Sequence, residues 1–440
     1  MDFKRLTLTA SASLIAIIAT ACGGTNTATN SPSNVTVPSD LSISSFTQDF
    51  SYMPKLHDLV MAGRGMVGVI LPDTTSSARY VAFDQPYLTK AFTDAGYSSS
   101  QFKIDNAQGV EAQQLQIAQA DITAGASVLI MDPLNSNVGS QIQTLAASKG
   151  VKVISYDRAT FTGTSTYYVS FDNVQVGKLI GQGFMDCVTA WGVKSPQVFT
   201  LNGGQNADPN AVDFAKGYNA VVWGDSIAQE TVGKTNSAGM KLVGDKVATD
   251  WKNDIGGTIF QQAFTANNKI NATIEANDGL GNAVVNHRKA AGDAAKTIPV
   301  TGQDATAQGM AYILSGYQCG SVYKPVYKEA QDAVAMAVVL LSGNKVPAAL
   351  LNGTTVDPAD STIKEPASLL TATWVNAANM ESTVVKDGFD TAAAICALAP
   401  AAQCSAGGTA DRPDDNDQRT VPAPPAGRPP PPHHARGRDP

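Results

Sequence analysis

Charge is scarce in this 440-residue chain: charged side chains make up 16% of it, and 38 acidic against 31 basic residues leave a formal net charge of -7. There is no basic surplus to meet phosphates, which excludes a nucleic-acid partner; the acidic balance argues for solubility. Histidine is scarcer still, four in all, and only His57 and His287 lie outside the C-terminal tail. A histidine triad or a zinc site therefore has little to draw on, and no cysteine lies two residues from another. Neither a metal nor a cofactor is expected, since there is also no phosphate loop and no Gly-x-Ser-x-Gly elbow.

What is present begins at the N-terminus. Lys4 and Arg5 precede the apolar run Leu14–Ile18, and Ala19-Thr-Ala-Cys22 comes next, the layout of a secretory signal with small residues before the cut. The run is too short to span a bilayer as a mature helix. A cysteine directly after small residues resembles the bacterial lipobox, although Ala19 stands where that motif usually has Leu; an ordinary signal cut elsewhere is the alternative. On this reading residues 1–21 are a signal peptide, Cys22 is acylated, and 22–50, rich in Ser, Thr, Asn and Gly, form a flexible tether. Cys187, Cys319, Cys396 and Cys404 remain, an even number that suits two disulfides in an exported protein. Three pairings are possible; Cys396 and Cys404 are close in sequence, and pairing them leaves Cys187 with Cys319.

From Met66 the chain alternates. Apolar runs at 66–71, 102–104, 128–131, 151–156 and 167–171 read as strands, and helical patterns at 78–95, 111–124 and 138–149 separate them. The rhythm restarts after Asn173, with strands at 197–201, 241–243, 272–276 and 298–301 between helices. Strand–helix–strand repetition implies right-handed crossovers and parallel sheets, so the fold class is α/β, two similar doubly wound lobes in succession. The apolar helix 330–341, a strand near 369–373 and a helix at 377–385 complete the folded part. Residues 405–440 are Pro-rich with few apolar side chains and read as a disordered tail.

Polar residues gather at the strand ends: Asp73, Asp132, Asp157-Arg158, Asp172-Asn173, Asn202, Asn277-Asp278 and Gln303-Asp304. In open α/β sheets that is where ligands sit. Carboxylates, amides and guanidinium groups match sugar hydroxyls, which both donate and accept, and Tyr80 or Trp251 is available for an apolar sugar face. Taken singly, such Asp and Asn residues more often cap helices or form turns, and Asp132 and Asp172 are read that way. A plain ion pair with Asp157 would suffice to explain Arg158.

The segments Ile154-Ser-Tyr-Asp-Arg158, Tyr168-Val-Ser-Phe-Asp-Asn173, Ala276-Asn-Asp278, Gly302-Gln-Asp304 and Val322-Tyr-Lys-Pro325 resemble the xylose-binding branch of the periplasmic sugar-binding proteins of ABC importers, which have the ribose-binding type of fold. The similarity runs from about Val67 to Phe389. It implies a sugar cleft lined by Arg79, Tyr80, Asp157, Arg158, Asn210, Trp251, Asn277, Asp304 and Lys324. Tyr80 stands where the family has tryptophan, and Pro209 where it has a second asparagine, so both bear on which sugar is taken. The resemblance also implies three crossings between lobes, near 170–173, 323–325 and 367–371. That divides the chain into an N-terminal lobe (60–170 plus 325–350) and a C-terminal lobe (173–322 plus 367–404) that close on the ligand.

The expected function is thus capture of a monosaccharide, xylose or a related aldose, and delivery to permease subunits of an ABC importer. The protein would be a monomer on the outer face of the cytoplasmic membrane, held there by its lipid anchor alone. A sugar-sensing subunit needs the same closed state and stays an alternative. A glycosidase is disfavoured: a general acid needs an unpaired carboxyl in an apolar pocket, whereas Asp157 beside Arg158 and Asp304 near Lys324 are ion-paired acceptors. A DNA-binding repressor is opposed by export and by the lack of an N-terminal helix-turn-helix.

Overall fold

The computed structural model describes residues 35–77, 79–161, 166–204, 208–358 and 360–406. The expected signal segment, Cys22 and the tail beyond Ala406 lie outside the described residues.

The first lobe is built from α1 (His57–Ala62), β1 (Met66–Leu71), a wide turn Tyr80–Asp84 running into α2 (Gln85–Ala95), β2 (Phe102–Asn106), α3 (Glu111–Thr123), β3 (Ala126–Met131), α4 (Ser136–Ser148), β4 (Lys152–Tyr156) and β5 (Thr166–Phe171). The second consists of α5 (Asn173–Ala190), β6 (Gln197–Gly204), α6 (Pro209–Val222), β7 (Lys241–Thr249), α7 (Asn253–Ala266), β8 (Ala272–Glu275), α8 (Asp278–Ala290), α9 (Ala307–Leu314) and β9 (Ser321–Tyr323). The chain then returns to the first lobe with α10 (Val326–Leu341), β10 (Gly353–Val356) and β11 (Lys364–Leu370), and crosses once more into β12 (Thr373–Val375), α11 (Ala392–Leu398) and α12 (Ala401–Ala406).

A seven-stranded sheet, ordered β10-β11-β5-β4-β3-β1-β2, forms the first lobe; only the β10–β11 hairpin is antiparallel. Its central strands are buried on both faces, which is why β1 reads as an unbroken apolar run. One face is covered by α10, whose residues Ala330 to Val339 are all buried, so the most apolar helix pattern in the sequence has a sheet to cover. The second lobe holds the parallel sheet β7-β6-β8 and, beside it, the antiparallel pair β12-β9. Each lobe has its own apolar core. Cys187 on α5 is joined to Cys319, just before β9, and Cys396 to Cys404.

Several sequence readings need correction. Residues 364–370 belong to the first sheet, where Ala367 to Leu370 pair with β5, so the last crossing falls after Leu370 and the assignment of 367–370 to the second lobe was wrong. The apolar run 369–373 is accordingly split between β11 and β12. β7 extends to Thr249, because its full length pairs with β6. Residues 298–301 run alongside β8 without a regular ladder; Thr273 N donates to the Pro299 carbonyl at 2.9 Å, but the Thr301 N–H goes to the Glu275 side chain. The segment 377–385 supplies only the wide turn Glu381–Val385.

The larger correction concerns the tether. From Val35 onward it is packed: Leu41, Phe46 and Phe50 are buried in the first core with Met53 and Leu56. The apolar residues stand singly among Ser, Thr and Asp, so no periodicity announces them; Phe50 lies against Tyr87 of α2 and Phe46 against Tyr52. Side chains of α10 and the loop after it fix the backbone: Gln331 Nε2 donates to the Thr47 carbonyl (2.8 Å) and Asn344 Nδ2 to the Val35 carbonyl (3.1 Å). Helix α12 likewise continues just into the stretch expected to be tail.

Candidate functional site

Where the strand ends of the two lobes face each other lies a cavity with about 330 Å³ of empty volume. Arg79, Tyr80, Asp157, Arg158, Asn210, Trp251, Asn277, Asp304 and Lys324 all line it, together with Ser76, Ser77, Phe214 and Gln303.

The first-lobe wall is an ion network. Arg79 is buried and grips both oxygens of Asp84 through Nε and Nη2 (2.8 and 2.7 Å), while Nη2 also meets Glu329 Oε2 (2.5 Å) and Nη1 meets Asp157 Oδ1 (2.8 Å). Four of its donor contacts are therefore spent on carboxylates, and its main effect is to hold Asp157 in place. Tyr156 OH donates to Asp84 Oδ1 at 2.6 Å from the strand below. Tyr80 OH donates to Asp157 Oδ2 (3.1 Å) and accepts from Arg158 Nη2 (2.9 Å), so one hydroxyl ties both site residues together. Burial would raise the Asp157 pKa, but Arg79, Lys324 and Arg158 outweigh it and hold the carboxyl below its ordinary value.

The simple Asp157–Arg158 ion pair considered from sequence is not what anchors Arg158. Its guanidinium faces the buried Asp132 (Nε to Oδ1, 3.8 Å) and donates to the Pro133 carbonyl (3.3 Å). Burial drives the Asp132 pKa upward, with Arg158 opposing. Asp132 thus supports the site from behind, while Asp172 accepts from Gln175 N and caps α5. Asp73 accepts from the backbone of Thr75 and Ser76 and shapes the loop above β1.

Apart from the pair of Asp304 with Lys324, the second-lobe wall is organised by caps and backbone. Asn277 caps α8 through Leu280 N (3.0 Å), and Asp208 caps α6 through Asn210 N (3.0 Å) and Ala211 N (3.3 Å). Pro209 then occupies the first helical turn, where its missing N–H and fixed φ cost nothing. The other oxygen of Asp208 accepts from Trp251 Nε1 at 3.0 Å. The indole lies against Gly203, where any Cβ would fall 1.9 Å from the ring, and Gly204 has φ +71°; this is why β6 ends in Gly-Gly. Phe214, one helical turn after Asn210, meets the same indole edge to face with 6.2 Å between centroids.

Three cavity residues, Asp157 (φ 56°), Trp251 (59°) and Asp304 (89°), adopt left-handed backbone conformations that non-glycine residues rarely take. Such strain persists where surrounding structure over-determines it, and sites are where it collects.

The walls touch directly. Ser77 Oγ donates to Asp304 Oδ2 (3.1 Å) and Asn210 Nδ2 to the Asp157 carbonyl (2.8 Å), which within the first lobe also accepts from Tyr168 OH (2.7 Å). Lys324, at the second crossing, lies between Asp304 (3.2 Å) and Asp157 (3.7 Å). The result is a chamber of fixed carboxylates, cations and amides with an aromatic side, suited to holding a polar ring. Gln303 belongs to the Gly302-Gln-Asp segment, and its Oε1 has no protein partner among the described residues. Ser76, Ser77 and Phe214 were missed from sequence; the helical spacing from Asn210 was the one signal for Phe214. Among the described residues no group of three or more His, Cys, Asp or Glu could hold a metal, and no helix is long and apolar enough to cross a membrane.

Known proteins share this architecture. Residues 67–345 match the family model described as a periplasmic binding protein domain. The D-xylose-binding periplasmic protein of Escherichia coli is 33% identical over 291 residues, covering 65% of this chain and 80% of that protein. A multiple sugar-binding periplasmic protein of Azospirillum brasilense is 30% identical over 337 residues, covering 74% and 90%. Among solved structures, a carbohydrate-transporter solute-binding protein of Chloroflexus aurantiacus in complex with D-glucose superimposes with a TM-score of 0.62 at 25% identity, covering 74% of this chain and 97% of that one.

Proposed function

This chain belongs to the periplasmic binding protein family, and on that premise we propose that it captures a monosaccharide, xylose or a related aldose, between its lobes and delivers it to an ABC importer. The observation that carries the reading is the chamber itself: every residue singled out for the cleft lines one cavity between the lobes. Hydroxyls of a sugar ring would donate to Asp157 and Asp304 and accept from Arg158, Asn277 and Lys324. Trp251 and Phe214 offer apolar surface to a ring face.

Division of labour between the lobes accounts for closure. A ligand held by groups from both walls favours the closed arrangement by its differential affinity for it. The chain segments after β5, before α10 and between β11 and β12 are the hinge, and rotation about them brings Asp304 towards Ser77. The closed shape is what membrane permease subunits would recognise. Xylose is favoured over other aldoses by the similarity to xylose-binding relatives; Tyr80 shapes the chamber where that branch has tryptophan. Export as a lipoprotein acylated at Cys22, acting as a monomer, completes the reading, and mass spectrometry of the membrane fraction that finds an unmodified Cys22 would remove the anchor from it.

Titration calorimetry with a panel of monosaccharides tests the central statement. One-site binding of a pentose or related aldose is expected at roughly micromolar affinity, about -8 kcal/mol. No heat from any monosaccharide, with turnover of a glycoside instead, would overturn it.

A further inference from the structure

The turn Tyr80–Asp84 has two sides. Tyr80 faces the chamber, where its hydroxyl joins Asp157 to Arg158. Phe83, three residues on, faces away and stacks on Phe389 of the second lobe, with 3.8 Å between ring centroids and 19° between planes. Tyr87 of α2 stacks on Phe83 at 6.3 Å, and Phe50 of the packed N-terminal segment lies against Tyr87 at 5.9 Å. Phe83 and Tyr87 thus pack into a second-lobe cluster that includes Met380, Val384 and Phe389. Beside the stack, Asp387 accepts from Tyr323 OH (3.1 Å) at the end of β9 and from Tyr327 OH (3.3 Å) at the start of α10. None of these aromatic rings lines the chamber.

We infer that Phe83, Tyr87 and Phe389 form an apolar latch between the lobes, which positions the Tyr80 wall and slows sugar release. Lobes joined by polar contacts alone rotate readily, whereas an apolar contact resists separation. Here rotation about the hinge must slide Phe83 across Phe389 and open apolar surface to water, which is unfavourable. Because Phe83 and Tyr80 share one turn, moving one ring moves the other and with it the hydrogen bonds to Asp157 and Arg158. The latch acts through Tyr80 and is a positioning device. As a cause of slow release it rests on the chamber being a sugar site.

Stopped-flow measurement of xylose dissociation tests it. Phe389→Ala is expected to release sugar about tenfold faster, the scale of exposing part of one buried aromatic ring's apolar surface, with association unchanged. Phe389→Leu, which keeps the apolar contact, should restore most of the slow release. Phe83→Ala, on the opposite lobe, should match Phe389→Ala, and the double variant should be no faster than either; it also serves if Phe389→Ala does not fold. Small-angle scattering of sugar-free protein should show a larger mean radius of gyration for both alanine variants. Unchanged scattering together with unchanged dissociation would overturn the latch. If the wild type binds no monosaccharide, the sugar reading falls, and scattering without sugar still decides whether the latch holds the lobes.

Discussion

The two walls of the chamber reach the same end by different physics. On the first-lobe side, Asp84, Asp157 and Glu329 are buried around Arg79, which binds all three, so the wall is braced before any ligand arrives. On the second-lobe side, Asn277, Asn210 and Trp251 are set by helix caps and left-handed turns. Among the described residues their surroundings hold no such network of buried charge. One wall is held by electrostatics within the core, the other by backbone geometry at helix starts. The difference teaches where stability and recognition are coupled: a change to the first wall disturbs both, a change to the second mainly recognition.

Buried acids sharpen the contrast. Asp157 is held below its ordinary pKa because cations outweigh burial, so its contribution to stability is present at neutral pH and is lost as pH falls below the usual carboxylate range. Glu275, in the second-lobe core, has no cation beside it among the described residues, and burial pushes it up to about 8. Both its folded and unfolded forms are protonated in acid. As pH rises from the ordinary value of 4.5 towards 8 the unfolded chain ionises first, so stability is lost through that window. The two acids therefore respond to pH with opposite sign, although the first lobe also holds acids that burial pushes up, Glu329 to about 8 and Asp332 to about 7.

The largest expected effect is on the first wall. Arg79→Ala leaves buried carboxylates uncompensated and should cost about 3–5 kcal/mol in urea unfolding, besides abolishing sugar binding. The matching second-wall change, Asp304→Asn, keeps a residue that tolerates positive φ and should move stability by less than about 1 kcal/mol while weakening binding. Equal losses of stability in the two variants would erase the distinction.

Next in size is the pH response. Glu275→Gln should flatten the fall in melting temperature between pH 5 and pH 8, a difference on the order of 3 kcal/mol at the alkaline end. An unaltered slope would show that another group carries the loss.

The smallest effect isolates recognition. Asn277→Ser preserves a side-chain oxygen for the α8 cap, so the melting temperature should stay within about 2 °C. Calorimetry should show affinity reduced roughly fivefold, near the contribution of one hydrogen bond. A drop in melting temperature without a change in affinity would mean that Asn277 serves the helix alone.

Much of this site was legible in the sequence because parallel strands force polar residues to their ends. The runs 66–71 and 128–131 announced buried strands, and a polar residue just past such a run is either a cap or a contact. Sequence could not say which carboxylate each arginine meets, since Arg79 and Asp157 are brought together by a crossover and not by proximity along the chain. Phe214 was not singled out, and it is core on one side and chamber on the other. The packed segment 35–56 was illegible for a different reason. Its anchors Leu41, Phe46 and Phe50 fill separate hollows on a surface made by distant helices, and isolated anchors carry no period. The split between β11 and β12 was hidden because the run between them is apolar throughout while the chain changes sheets.

The way the N-terminal segment is seated has a mechanical consequence. The described chain emerges at Val35, hydrogen-bonded to Asn344 just past α10, so a pull from any upstream attachment enters the protein through the first lobe. Under the proposed closure, that lobe would be the stator and the second the arm, swinging against the Phe83–Phe389 contact as the chamber fills.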